Sequence, residues 1–269
     1  MFADPALAAR IDAAEAALCA AVARYTPGAD ITPLGGGLAV LARPGSPVNK
    51  VAGVGFDGGL DPTALAAVEA IWHGRGEAVR FEVATLAAPE VHRDLTARGY
   101  RLEGFEHVLG RPITAADAAV ELPGAITIER VTAATSALWL DLSLAGFGAS
   151  DGTGAEADAD SALDVLRQVF GDFAKVDELP RYLARVDGVA AGSASARYAG
   201  RLAQLCGAST IPAFRRRGVQ RALLSARLAD AWAAGCDLAI VTTAPGSQSQ
   251  ANVGRVGFEL IYARAVLVG

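Results

Sequence analysis

The sequence predicts an α/β fold built in two halves, each a mixed, mainly antiparallel sheet flanked by helices. Apolar residues switch repeatedly between strand and helix spacing along the 269 residues, a proline-bearing stretch without strand pattern divides them, and a closing glycine-aromatic strand occurs twice. Hydrophobic residues are 52% against 20% charged, and the 30 glycines and 12 prolines are spread along the chain, which excludes disorder and low complexity.

Asp4 followed by Pro5 places a helix cap and a first-turn proline before an alanine-rich helix ending near Tyr25. The apolar runs at Leu38 to Leu41 and Val51 to Phe56, separated by PGSPVN, are expected to be paired strands. Asp61 and Pro62 repeat the cap pattern and open a helix to about Gly74. A strand at Val79 to Leu86, a short helix at Glu90 to Ala97 and a strand from Tyr100 to Leu109 complete the half. The stretch Arg111 to Ala125 has prolines and small residues, so the domains are set at 1–115 and 126–269 with 116–125 as linker.

The second half opens on a strand at Ile126 to Val131 and a helix through Trp139 and Leu144. A loop at Gly148 to Asp158 leads to a helix near Ala162 to Phe173. Strands then follow at Arg181 to Val186, Val189 to Tyr198 and Leu202 to Thr210, with Gly188 and Gly200 at the hairpin turns. A helix from Gly218 to Ala234 joins the last of these to an apolar run at Leu238 to Thr243, a connection of the length that pairs strands in parallel. Ser247 and Gln250 form a capping-box pattern for a short helix before the closing strand Phe258 to Val268.

The net charge of −5 gives no global positive field to recruit nucleic acid or an anionic membrane, so any anion site is local. Cys19, Cys206 and Cys236 fit neither a disulfide framework nor metal-ligand spacing and suit a reducing cytoplasm. No signal peptide or long apolar span is visible, so a soluble cytoplasmic monomer or homodimer is expected. His73, His92 and His107 have no partners at metal-binding spacing, and no metal is expected.

The most informative segment is Thr210 to Leu224, TIPAFRRRGVQRALL. It lies between a strand and a helix, and Arg215, Arg216, Arg217 and Arg221 crowd a helix start where the dipole disfavours cations. An anion at that start reconciles them: Gly218 lets its oxygens approach the backbone, and the free first-turn amides point at it. A nucleotide triphosphate is a poorer fit, because the loop lacks the Walker-type lysine and Ser/Thr pair.

Arg215-Arg216-Arg217-Gly218-Val219-Gln220 resembles the signature of the GNAT N-acetyltransferase superfamily: Arg or Gln, two residues, Gly, one residue, then Gly or Ala. The match departs at Gln220, where a side chain stands in place of none, while Ala222 nearby stays small. The resemblance runs from about Ile126 to the end and includes the Pro212 and Phe214 spacing and the Gly257-Phe258 pair. It implies acetyl-coenzyme A, or another acyl-coenzyme A, as cofactor. Backbone groups of Ser209, Thr210 and Ile211 would pair with the pantetheine arm, and Arg216 through Ala222, with Arg215, would hold the pyrophosphate. Asn252 is a further candidate contact. The implied reaction is direct attack of an amine of a small molecule or peptide on the thioester.

Two residues the family often uses are missing. Val253 stands where it has a tyrosine acid, and Gln204, which cannot take a proton, where it has a carboxylate base. Tyr198, Gln204 and Ser249 are the remaining catalytic candidates, with Ser247 and Cys206 nearby. Ser247 also reads as a helix cap, Cys206 as a buried strand residue and Tyr198 as a hairpin-end aromatic. Asp151, Glu156, Asp158 and Asp160 form an acidic segment that could receive a cationic amine or simply be solvated. A non-catalytic acyl-coenzyme A binding or sensing module is the alternative.

Residues Ala97 to Leu109 (ARGYRLEGFEHVL) resemble Arg255 to Leu267 (RVGFELIYARAVL), aligning Gly99-Tyr100 with Gly257-Phe258. The first half's counterpart of the arginine loop, VAGVGFDGGLDP at Val51 to Pro62, has two aspartates and no arginine. The chain therefore resembles tandem GNAT proteins whose first copy has lost the cofactor loop.

Overall fold

The computed structural model describes residues 2–119, 122, 124–148 and 156–269, with 148 and 156–162 described by backbone alone. In the first half α1 (Pro5–Ala23) precedes β1 (Asp30–Leu34), β2 (Gly37–Leu41) and β3 (Lys50–Ala52). Then come α2 (Pro62–Gly74), β4 (Arg80–Ala84), α3 (Pro89–Ala97) and β5 (Arg101–Pro112). The second half runs β6 (Ile126–Arg130), α4 (Ser136–Gly148), α5 (Glu156–Phe173), β7 (Arg181–Val186), β8 (Val189–Ala199) and β9 (Leu202–Thr210). It ends with α6 (Val219–Ala233), β10 (Leu238–Thr243), α7 (Gln248–Gly254) and β11 (Glu259–Val268).

The expected caps form. Asp4 accepts from the Leu7 amide at 2.7 Å, and Asp61 from the Thr63 and Ala64 amides at 2.8 and 3.4 Å. Both predicted hairpins of the second half turn through left-handed pairs, Asp187-Gly188 and Gly200-Arg201, as two-residue turns between twisted strands require. Ser247 caps α7 through the Gln250 amide, but the Gln250 side chain bonds the Gly246 amide at 2.7 Å instead of closing the box. β1 was not anticipated: Pro33 lies inside it, which an edge strand tolerates, and β1 stands at the end of its sheet.

Contacts divide the chain into two compact units, one of Met1–Gly110 with Thr242–Gly269 and one of Arg111–Val241. This differs from a division at 116–125, because β11 leaves the half that precedes it in sequence. The first unit's sheet has the order β1-β2-β3-β4-β11-β5, so β11 lies between β4 and β5 and pairs antiparallel with both. The second unit's sheet runs β10-β9-β8-β7-β6; β7, β8 and β9 form the expected antiparallel meander, β6 pairs β7 antiparallel, and β10 pairs β9 in parallel. The expected linker is partly ordered structure. β5 extends to Pro112, the Ile113 amide donates to the Asp237 carbonyl at 2.9 Å, and a 3₁₀ turn at Ala115–Ala118 follows with Asp117 held by Arg111 at 2.7 Å. No described helix is long and apolar enough to cross a membrane.

Candidate functional site

The site begins with a fault in β9. Ser193 pairs Ser209 and Ser195 pairs Cys206, so Gly207 and Ala208 together oppose Ala194. Gly207 makes this bulge possible with φ +59°, a conformation that costs an L side chain strain. Bulges add twist, and the parallel register between β9 and β10 stops just before this one, at Gln204 opposite Ile240. Beyond the fork, residues 205–210 present an edge outside the β9–β10 ladder, with the alternating donors and acceptors an extended amide-bearing ligand can use.

At the end of that edge the chain makes a 3₁₀ turn, Pro212–Phe214, then passes through two left-handed residues, Arg216 (φ +62°) and Gly218 (φ +86°), into α6. The first intrahelical bond is from the Ala222 amide to the Gly218 carbonyl at 3.0 Å, so the amides of Val219 and Arg221 are first-turn donors ahead of the helical ladder. Gly218 brings no side chain to cap them, and the first turn contains no acid. Val219 and Ala222 are buried and anchor the turn, while Arg215, Arg216, Arg217 and Arg221 are exposed around it. Arg217 stacks over the Phe214 ring at 5.2 Å and pairs with Asp187 at 3.3 Å, which fixes one arginine of the group. Four cations at an uncapped positive dipole end make a fitting cradle for a pyrophosphate.

Close packing sets this geometry. A Cβ on Gly192 would lie 2.6 Å from the Ser209 carbonyl oxygen and 2.9 Å from Val219, so this glycine lets the start of α6 approach the strands. A Cβ on Gly146 of α4 would collide with the Ser209 side chain. The Ser209 hydroxyl lies 3.0 Å from that of Ser193 and donates to the Leu142 carbonyl at 3.1 Å, and Ser193 lies 2.9 Å from Ser143, stapling α4 to both strands. Gly207, Gly192 and Gly146 are site residues the sequence reading missed. A glycine inside a strand pattern is the only local signal of the first two.

Of the three residues expected to pair with the cofactor arm, Ser209, opposite Ser193, turns its backbone groups toward β8 as Ile211 does, and Thr210 between them turns its own to the open edge. Ile211 does not serve, since its amide donates to the Ala191 carbonyl at 3.1 Å and its carbonyl accepts the Phe214 amide at 3.0 Å. Gln204 is buried at the fork, where its Oε1 accepts from Arg197 at 3.2 Å. Tyr198 sits elsewhere. Its hydroxyl donates to the Arg227 carbonyl at 2.9 Å and lies 2.7 Å from the Tyr182 hydroxyl, which donates to Asp230, and burial pushes Tyr198 up to about 12. A hydroxyl tied to the body of α6 in this way is a framework group. Ser249, exposed, and Asn252 lie on α7 in the other compact unit; the Asn252 Oδ1 accepts from Gln248 at 2.9 Å and Arg255 at 2.7 Å. Val253 is buried. Asp151 lies outside the described residues, as do the side chains of Glu156, Asp158 and Asp160. Among the described residues no group of three or more His, Cys, Asp or Glu could hold a metal ion.

The first half repeats the scaffold without the arginine-rich loop. α2, β4, α3 and β5 repeat the order of α6, β10, α7 and β11. β3 pairs in parallel with β4 through Val51 opposite Phe81 and Ala52 opposite Glu82, as β9 does with β10, and ends there. At the helix start the Asp61 carboxylate takes the amides that Gly218 leaves open. A carboxylate of the chain thus takes the first-turn amides at this helix start.

Residues 149–258 match the model of the acetyltransferase (GNAT) family. No curated protein matches the sequence. Among solved structures, a GCN5-related N-acetyltransferase from Kribbella flavida superposes with TM-score 0.68 at 19% identity, covering 97% of this chain and 95% of its own. A tandem GNAT protein from the clavulanic acid biosynthesis pathway matches with TM-score 0.61 at 12% identity, over 100% of this chain and 96% of its own. A GCN5-related N-acetyltransferase from Sphaerobacter thermophilus matches at TM-score 0.53 and 14% identity, over 77% and 65%. At these identities the likeness is one of fold. Residues 149–258 are thus similar to the acetyltransferase (GNAT) family, and the chain has, along its length, the fold of the tandem GNAT protein it matches.

Proposed function

We propose that this protein is an acyl-coenzyme A dependent N-acyltransferase, with acetyl as the acyl group and an amine of a small molecule or peptide as acceptor. The observation that carries the reading is the uncapped, arginine-ringed start of α6 at the end of the open edge of β9. The amides of Val219 and Arg221 with the side chains of Arg215, Arg216, Arg217 and Arg221 would hold the pyrophosphate, and the backbone of Thr210 the amide-bearing arm. When bound, the cofactor supplies an acyl group activated as a thioester. The chain's own part is to hold that group at the fork and exclude water from it, so that an amine meets it oriented.

Gln204, at the fork, can orient a polar group but accept no proton, so the amine must arrive neutral or lose its proton to water. The rate at fixed acceptor concentration is therefore expected to rise with pH along the titration of the acceptor amine itself. A plateau well below that pKa would instead reveal a protein base.

Calorimetric titration with acetyl-coenzyme A tests the cofactor site. Arg216→Ala with Arg217→Ala should weaken binding about tenfold or more, since each charge-assisted contact contributes about 1.5–3 kcal/mol and Arg217 is partly engaged by Asp187. Unchanged affinity would reject the placement. Thiol release over a panel of amines then separates enzyme from sensor: tight binding with no turnover on any amine would favour a non-catalytic module, the reading that Val253 and Gln204 support.

A further inference from the structure

We infer that Phe170 sets the length of the acyl group this site accepts, favouring short chains over long ones; this rests on the acyl-coenzyme A reading above. The arm between a pyrophosphate and a thioester is as long as roughly four to five residues of extended chain, at about 3.3 Å per residue. Laid along β9 from Thr210 back toward the fork, it ends beside the bulge at Gly207. What surrounds that bulge decides the space for the acyl group.

On one face of β9 the space is filled by α6. The fully buried Arg227 donates to the Ser195 carbonyl at 3.1 Å, and Leu223 is buried beside it. On the other face stands Phe170 of α5: a Cβ built on Gly207 would lie 3.5 Å from the Ser195 hydroxyl and 3.8 Å from Phe170 Cε1. The ring is not free to turn aside. It is buried and meets Trp139 edge-on at 5.8 Å and Phe147 at 5.2 Å. Trp139 in turn donates its indole N–H at 3.2 Å to the carbonyl of Ala194, the residue opposite the bulge. The aromatic wall is thus pinned to the same backbone that shapes the bulge, and a longer chain would have to displace a packed ring.

The test compares calorimetric affinities for coenzyme A, acetyl-, propionyl- and hexanoyl-coenzyme A in the wild-type protein and in Phe170→Ala and Phe170→Leu, with thermal melts to confirm folding. The wild type should bind coenzyme A and acetyl-coenzyme A within a few-fold of each other and hexanoyl-coenzyme A at least tenfold more weakly. Phe170→Ala should remove that penalty, and Phe170→Leu, which keeps an apolar side chain in the core, should reduce it. Equal affinity of the wild type for acetyl and hexanoyl forms would overturn the inference, as would an unchanged ratio in a folded variant that still binds coenzyme A. Failure of the wild type to bind coenzyme A at all would overturn the cofactor reading and this inference with it.

Discussion

Replacing Arg264 by methionine is expected to destabilise the protein by about 3–5 kcal/mol, the largest effect anticipated for a single side chain outside the arginine loop. Arg264 on β11 is fully buried, with Nε 2.8 Å and Nη2 2.7 Å from Asp12 Oδ1 on α1, while Nη1 stands 3.9 Å from Glu82 and 3.8 Å from Glu106. Tyr262 donates to the same Asp12 oxygen at 2.6 Å. The guanidinium is surrounded by carboxylates that have left water because it is there. Methionine fills its volume but leaves Asp12 and Glu82 in the interior with Lys50, 2.6 Å from Glu82, as the remaining cation of the cluster. Denaturant midpoints read the cost. The double variant Asp12→Leu with Arg264→Met should recover a good part of it, because a stranded buried charge costs more than a missing pair. A loss below about 1 kcal/mol in the single variant would show that water reaches the cluster and that the ion pair is structurally idle.

The same cluster should make stability depend on pH through Glu106. Burial first, and repulsion from Glu82 second, push its carboxyl up to about 7; Lys50 on β3 and Arg264 on β11 act against this, and Glu15 on α1 adds to it. A carboxyl whose folded pKa lies above its unfolded value holds its proton more tightly when folded. Its contribution is therefore complete below about pH 4.5 and is lost as pH rises toward 7. Glu106 and Glu82 titrate as a pair, so the midpoint belongs to both. Asp12, also raised by burial, tilts stability the same way, while Glu82 is lowered and opposes it. Glu106→Gln, which imitates the protonated form, should flatten the decline between pH 5 and 8 and leave the variant about 2 kcal/mol more stable than the wild type at pH 8. Parallel wild-type and variant curves across that range would remove Glu106 from the account.

Much of this protein was legible before any coordinate. The Asp-Pro starts of α1 and α2, the Asp187-Gly188 and Gly200-Arg201 turns, the β9–α6–β10 unit and the arginine-rich loop all express interactions among residues a few positions apart, and local chemistry decides those. The cation-rich helix start was legible for the same reason: arginines crowd it, and a glycine stands at its cap where Asp61 caps its counterpart.

What the tertiary structure alone decided depends on pairings between residues far apart. Nothing near Phe258 says that β11 will lie between β4 and β5, because a strand's partners follow from register and buried faces, not from proximity along the chain. The bulge at Gly207, the fork at Gln204 and the loss of Ile211 to Ala191 follow from how β8, β9 and β10 meet. Tyr198 looked free at a hairpin end until α6 packed over its hydroxyl. Asp12 and Arg264, 252 residues apart, lie on an alanine-rich helix and a closing strand. Only the folded chain brings them together, since a buried charge is tolerated by virtue of the opposite charge the fold places beside it.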